Sequence, residues 1–470
     1  MPLPPLVPCA IYVHDVHAAH GVQLPESYTP PQWIHHQYAA ELWLQRALEA
    51  HAWRVSTPSR ARVIFAAANF SMWCVARKLF SRRKLWGAAA ADGVLWPSRN
   101  LSAAAAPAVL LTSQFRNCGP PWDPAFLTGA ARPPRTLLLQ DVVMGAEPEG
   151  LTVIAPFVVS RPPWLVAGRD STRTHHFPPL PLKWAERKLI FMAGHVPKVY
   201  ISTTRYLIWR QLRTQSDATV ISSSLNCSVG AYAACGRGKE YWASRSHREI
   251  TRFCWEACQE PTTCGLSMRR SKAETLSAFW RGCAQHTHIN YTAEAADMAR
   301  STRRLPHAHY LELAMAHRFC LVAPGDYPST HKITEAMALG GAGGCIPVFV
   351  LQIQSKHKLE HAVARSLPYT RWLDYCKVAY LVTEPAATYD IERVLVKLRA
   401  VSEAEAMEKL EELRSVRDAF VFRPNASTAP DFILSEICAR AARMANPQTK
   451  RIEERPDSLA GGSHSRCLLA

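Results

Sequence analysis

Short apolar runs, each fenced by polar residues or proline, recur along this chain. In the first third they are "AIYVHDV" at 10–16, "RVIFAAA" at 62–68, "AVLLTS" at 108–113 and "LTVIAPFVV" at 151–159. Their length and fencing predict buried strands. Between the first two, 38–53 places Leu42, Leu44, Ala47 and Leu48 at helical spacing and predicts an amphipathic helix. The same rhythm restarts later. Strands are predicted at 187–194, 318–324, 345–350 and 377–384, with helices near 204–212, near Tyr310 and over 332–339, where Ile333, Ala336 and Met337 face inward. The segment 402–422 is the clearest helix: Ser402 and Glu405 have capping-box spacing, and Met407, Leu410, Leu413 and Val416 fall on one face. No internal repeat is visible.

Strands separated by helical patterns point to α/β halves with parallel sheets and crossover helices. A proline-rich passage divides them. The expected organisation is a first α/β domain over 1–160, a linker over 161–186, a second α/β domain over 187–425 with a cysteine-rich insertion at about 226–285, and an aperiodic, disordered tail over 446–470.

Composition narrows this picture. The chain has 470 residues, 48% hydrophobic and 20% charged, enough apolar material for two folded domains. No run approaches the ~18–20 apolar residues of a membrane-spanning helix. The start shows neither a basic n-region nor a long apolar h-region, so membrane association is expected only if an N-terminal anchor precedes this sequence. Net charge is +17 and the pI about 9.4. Such a surface attracts anions, but the basic residues are scattered apart from "KLFSRRK" at 78–84, with no RNA-binding signature or basic zipper. Five asparagines (Asn69, Asn100, Asn226, Asn290 and Asn425) stand in Asn-X-Ser/Thr, where chance gives about one. The excess points to the secretory lumen. Of 14 cysteines, six fall between Cys227 and Cys283. Disulfides, buried free thiols and a zinc site are all readings of that cluster; Cys254, Cys258 and Cys264 lack a second paired knuckle. His35-His36 and His307-x-His309 lack companions for a metal site, and no Asp-x-Asp occurs.

Candidate chemistry concentrates in "HRFCLVAPGDYPSTHKITEAMALGGAGGCIPVFV" at 317–350. A strand stops at Pro324, Gly325-Asp326 turns the chain out, and Ser329 or Thr330 can cap a helix. A phosphate at that helix start would meet backbone N–H groups with His331 and Lys332 beside it. Glu335, one turn in, could accept hydrogen bonds from two vicinal hydroxyls, as a ribose offers.

This segment resembles the signature of the exostosin-type glycosyltransferases (glycosyltransferase family 47), on Phe319, Cys320, Leu321, Pro324, Gly325, Asp326, Ser329, Glu335, Ala336 and the run 344–348. "IYVHDV", "RARVIFAAANFS" at 60–71, "RKLIFMAG" with Arg205, and "LPYTRWLDYCKVAYLVTE" at 367–384 are similar to further passages of that family. Three features differ: His331 stands for the family's arginine, "LGGAGGC" lengthens the junction by about four residues and is expected to extend a loop beside the pocket, and the Asp-His element of many relatives is missing from the first half.

The resemblance implies a GT-B architecture, two facing Rossmann-like domains with the active site in the cleft. The second domain would hold a nucleotide sugar, a UDP-sugar, and the first a glycan or glycoprotein acceptor, acidic acceptors being favoured by the basic surface. No metal and no cofactor are called for, nor nucleic acid as partner, and the Golgi or secretory lumen is the implied location. Binding of the nucleotide sugar falls to Gly194, Arg205, Gly325, Asp326, Ser329, His331, Lys332 and Glu335; protonation of His331 would make it pH-dependent. For the catalytic base, Asp15 and His14 are candidates at the end of the first strand. Two alternatives stand beside this: an inactive, glycan-binding relative, and an unrelated α/β protein binding polyanions through its basic surface.

Overall fold

The computed structural model of the chain describes residues 9–15, 35–67, 108–112, 136–140, 152–160, 182–194, 204–222, 305–325, 328–353, 359–423, 429–445 and 464–470. These residues form a mixed α/β fold built on two parallel five-stranded sheets.

The first sheet takes its strands in chain order: β1 (Ile11–Asp15), β2 (Val63–Ala67), β3 (Ala108–Thr112), β4 (Thr136–Gln140) and β5 (Thr152–Ile154). Helix α1 (Ala40–Glu49) returns the chain from β1 to β2, burying Leu42, Leu44 and Leu48 as the periodicity demands. The second sheet has the order β10-β9-β8-β6-β7. Its strands are β6 (Lys188–Gly194), β7 (Ala218–Ser222), β8 (His317–Val322), β9 (Ile346–Leu351) and β10 (Tyr380–Thr383). After β7 the chain crosses to the opposite side of β6 to lay down β8, so strand order reverses between β6 and β8. Ligands of open α/β sheets bind in the crevice outside such a reversal, at the carboxyl ends of the strands.

The second sheet's helices are α2 (Thr204–Leu212), α3 (His307–Met315), α4 (His331–Gly341), α5 (Leu359–Ser366), α6 (Tyr375–Val378), α7 (Glu384–Tyr389), α8 (Ile391–Arg399) and α9 (Glu403–Val416). Strand β9 is buried along its whole length and reads "IPVFVL", the continuous apolar pattern of a strand covered on both faces. Helix α10 (Ala429–Ala445) packs on α1, β4 and β5 of the first sheet. A disulfide from Cys9 to Cys438 fixes it there.

Several expectations need correction. The strand predicted at 151–159 is hydrogen-bonded only over Thr152–Ile154; Pro156 interrupts it, and 155–160 continues as extended chain docked on the second half, where Phe422 N donates to Val159 O at 3.2 Å. The strand expected from 377 begins at Tyr380, because Asp374 caps a short helix by accepting from Cys376 N. Within the expected linker, 182–186 is folded: Trp184 is buried edge-on against Phe319, and Arg318 lies over its ring. Met407 is exposed, and α9 buries Ala406, Leu410, Leu413 and Val416 instead.

The tail is also revised. Residues 464–470 dock on the edge strand β10: Leu468 bridges Leu381, Leu469 N donates to Leu381 O at 2.9 Å, and Thr383 N donates to Ala470 O at 3.2 Å. Disulfide Cys376–Cys467, the Arg466–Asp374 ion pair and the His464–Glu360 pair hold the segment in place. The rest of that tail, the cysteine-rich insertion and the five Asn-X-Ser/Thr sites lie outside the described residues.

Candidate functional site

At the switch point the carboxyl ends of β6 and β8 stand side by side, and Arg205, second residue of α2, reaches across both. Its Nη2 donates to Ala323 O at 3.2 Å. A Cβ on Gly325 would lie 3.0 Å from Nη2, and one on Gly194 would lie 3.7 Å from Nη1. Glycine at 325 is therefore what lets the guanidinium lie flat against the strand end, whereas Gly194 leaves ordinary contact distance. The two glycines and the arginine singled out in the sequence thus form one surface.

Beside it lies a small, narrow pocket lined by Phe191, Tyr310, Cys320 and Leu321, with Arg205 and Lys332 supplying the cations. Helix α4 enters from the turn after β8. Thr330 has extended backbone and caps the helix, its hydroxyl accepting from Lys332 N at 3.5 Å; Ser329 is buried before it. Cys320, inside the pocket wall, is joined to Cys345 at the start of β9, which pins the strands flanking α4.

Glu335 lies behind the helix start with its side chain 8% exposed. Lys332 Nζ donates to Oε2 at 2.6 Å and His307 Nε2 lies 3.1 Å from Oε1. His331 Nε2 is 4.0 Å away. The Tyr310 hydroxyl completes the set, and the Lys332 ammonium sits 3.7 Å from the centre of its ring. Burial acts to push the Glu335 carboxyl up, but the Lys332 charge, the His307 hydrogen bond and the His331 contact outweigh it and hold it well below the ordinary carboxylate range. Burial, reinforced by the Glu335 carboxylate, pushes the Tyr310 phenol well up, so it stays a donor.

His331 is different from expectation. Burial and the neighbouring Lys332, Arg205 and His307 lower it to about 4 against the pull of Glu335. It is neutral at physiological pH, so a positive His331 does not stand in for an arginine there. Its ring instead meets Phe157 edge-on at 6.5 Å, and Phe157 N donates to Thr334 Oγ1 at 3.0 Å. The chain after β5 thereby closes one side of the α4 start.

The glycine run 340–344 is not beside the pocket. Gly340 and Gly341 belong to the last turn of α4, where added Cβ atoms would come within 2.6 Å of Leu413 and 2.7 Å of Arg417. Arg187, just before β6, donates to Gly344 O at 2.9 Å and Gly343 O at 3.1 Å. That is the amino end of the strands, opposite to Arg205. The small residues Gly340 and Gly341 let the end of α4 pack closely on Leu413 of α9 and on Arg417.

Asp326 lies outside the described residues. His14 and Asp15 stand at the carboxyl end of β1, opposite Ala66 and Ala67 of β2, in the other sheet from Glu335. Tyr310 and His307 were not recognised as site residues; their only sequence signal is a three-residue spacing that places both on one face of α3. Among the described residues no group of three or more His, Cys, Asp or Glu side chains could hold a metal ion.

Chemically, the surface offers cations and a helix start for a phosphate-bearing group, with a buried carboxylate behind them. No protein-family model matches the chain, and no curated protein matches it either.

Proposed function

We propose that the protein is a glycosyltransferase that moves a sugar from a nucleotide sugar, a UDP-sugar, to a glycan or glycoprotein acceptor with inversion. The two parallel sheets would act as facing Rossmann-like domains in a GT-B arrangement, the second carrying the donor. One observation carries this reading: Arg205, Gly194, Gly325 and Lys332, distant in sequence, converge at the strand-order reversal of the second sheet beside a small pocket, with Glu335 bonded behind Lys332. Departure of a diphosphate needs positive charge where negative charge grows, and Arg205 with Lys332 supplies it. Disulfides at Cys9–Cys438, Cys320–Cys345 and Cys376–Cys467 support an oxidising compartment, in keeping with the Golgi or secretory lumen. The glycan-binding alternative drew on His331 and the glycine run, and the second of these lies at the far end of the sheet.

The test is calorimetric titration of UDP into the wild type and Arg205→Ala. Binding is expected in the wild type and about a tenfold or greater loss in the variant, the scale of a charge-assisted contact. A panel of UDP-sugars with turnover assays then names the donor. A folded wild type that shows no affinity for UDP overturns the proposal. Salt-sensitive binding of any polyanion, indifferent to Arg205, would favour the basic-surface reading instead.

A further inference from the structure

Arg205 can meet a diphosphate only if the first turn of α2 is fixed, since a helix start lacks intrahelical partners for its N–H groups and frays readily. Thr204 opens that turn and is 4% exposed. Its hydroxyl donates to the carboxylate of Glu384, 180 residues further along the chain. Glu384 is in turn well seated. It is the first residue of α7, capped by Thr383, whose side chain accepts from Ala386 N at 3.3 Å and whose own N–H is taken by the C-terminal Ala470. At the other end of α2, Gln211 Nε2 donates to Thr388 O at 2.6 Å and its Oε1 accepts from Ile391 N at 3.3 Å. Helix α2 is thus bolted to α7 and α8 at both ends, and the Thr204 bolt lies in the turn that carries Arg205.

We propose that Glu384 is a positioning residue for diphosphate binding: through Thr204 it holds the Arg205 guanidinium across the ends of β6 and β8. This rests on the nucleotide-sugar reading and adds to it a group remote from the ligand. The chemistry required of position 384 is a hydrogen-bond acceptor, not a charge.

The experiment is UDP titration across a variant series, with thermal melting to confirm folding. Thr204→Val removes the donor at constant shape and should weaken UDP by about fivefold to tenfold, the scale of one hydrogen bond. Glu384→Ala should match it. Thr204→Ser and Glu384→Gln keep the donor and the acceptor and should bind as the wild type does. Gln211→Ala, which loosens only the far end, should stay within about twofold. In an Arg205→Ala background, Thr204→Val should add no further loss, which a general loosening of the fold would not reproduce. Unchanged affinity in both Thr204→Val and Glu384→Ala overturns the inference, as does a fully additive loss in the double variant. If the wild type itself does not bind UDP, the nucleotide-sugar reading fails and this inference with it; if it binds and only the series is flat, the inference alone fails.

Discussion

Glu335 keeps its charge in a place that water barely reaches. Isolated burial of a carboxylate would neutralise it, and here Lys332, His307 and Tyr310 each contribute a hydrogen bond that prevents this. Glu335→Gln would leave the ammonium of Lys332 facing an amide and should destabilise the fold by about 2 kcal/mol at neutral pH. The sign of its pH dependence is fixed. The folded carboxyl titrates below its unfolded value of 4.5, so its contribution is complete above that value and fades as pH falls below it. Urea unfolding of wild type and variant at pH 7 and pH 3.5 should therefore show a gap that narrows in acid. A gap of equal size at both values would mean that the carboxylate is not held in its charged form. For a ligand the consequence is also definite. Any hydroxyl brought to this carboxylate would share it with three hydrogen bonds already made.

At the scale of elements, most of the strand framework and α4 were legible because each is a fenced apolar run with one period. The strand "ATVIS" of β7 was not, having few large apolar residues, and "TLLLQ" of β4 went unrecognised although Pro133-Pro134 and Asp141 fence it. Helix α9 was found but its buried face was misread by one position: Ala406 rather than Met407 begins the stripe, because small residues count as little in a periodicity yet pack well. In the site, Arg205, Lys332 and Glu335 could be read from the order of motifs around 205 and 317–350. Thr204–Glu384 and His307–Glu335 could not, since contacts across 180 and 28 residues leave no local pattern. The docked C-terminus was equally invisible. Its composition is that of a loop, and it is ordered by pairing with β10 and by a disulfide rather than by an apolar face. An open edge strand is a pairing hazard, and this one is covered by residues 464–470. Deleting 464–470 should expose the Thr383 amide, so hydrogen exchange over 380–383 should accelerate by at least tenfold while β8 at 317–322 keeps its protection. Equal exchange over 380–383 in the full and shortened chains would show that the segment does not cover the edge.

The two sheets are joined by more than the chain that runs between them. Helix α10 leaves the second half and packs on α1, β4 and β5 of the first, and Trp43 on α1 meets Phe422 at 5.8 Å between ring centres. The docked stretch after β5 adds Phe157 N to Thr334 Oγ1, a buried bond landing on the helix that carries Lys332 and Glu335. The chain that follows the first sheet's last strand and helix α4 are therefore mechanically connected close to the pocket. The longest covalent tie is Cys9–Cys438, spanning 429 residues of sequence. A tie across so long a loop restricts the unfolded chain strongly, on the order of 6 kcal/mol in the chain-entropy account. It also gives a direct test of how the halves are held. With a protease site engineered between 161 and 181, cleavage should yield two pieces that migrate together on a denaturing gel without reductant and separate once reduced. In Cys438→Ser with Cys74 and Cys118 also changed to Ser, the cut pieces should separate on that gel even without reductant, yet elute as one species from a native sizing column, because the packing of α10 on the first sheet persists. Pieces of the Cys438→Ser chain that part on the native column would show that the disulfide, and not the packing of α10, is what unites the two sheets.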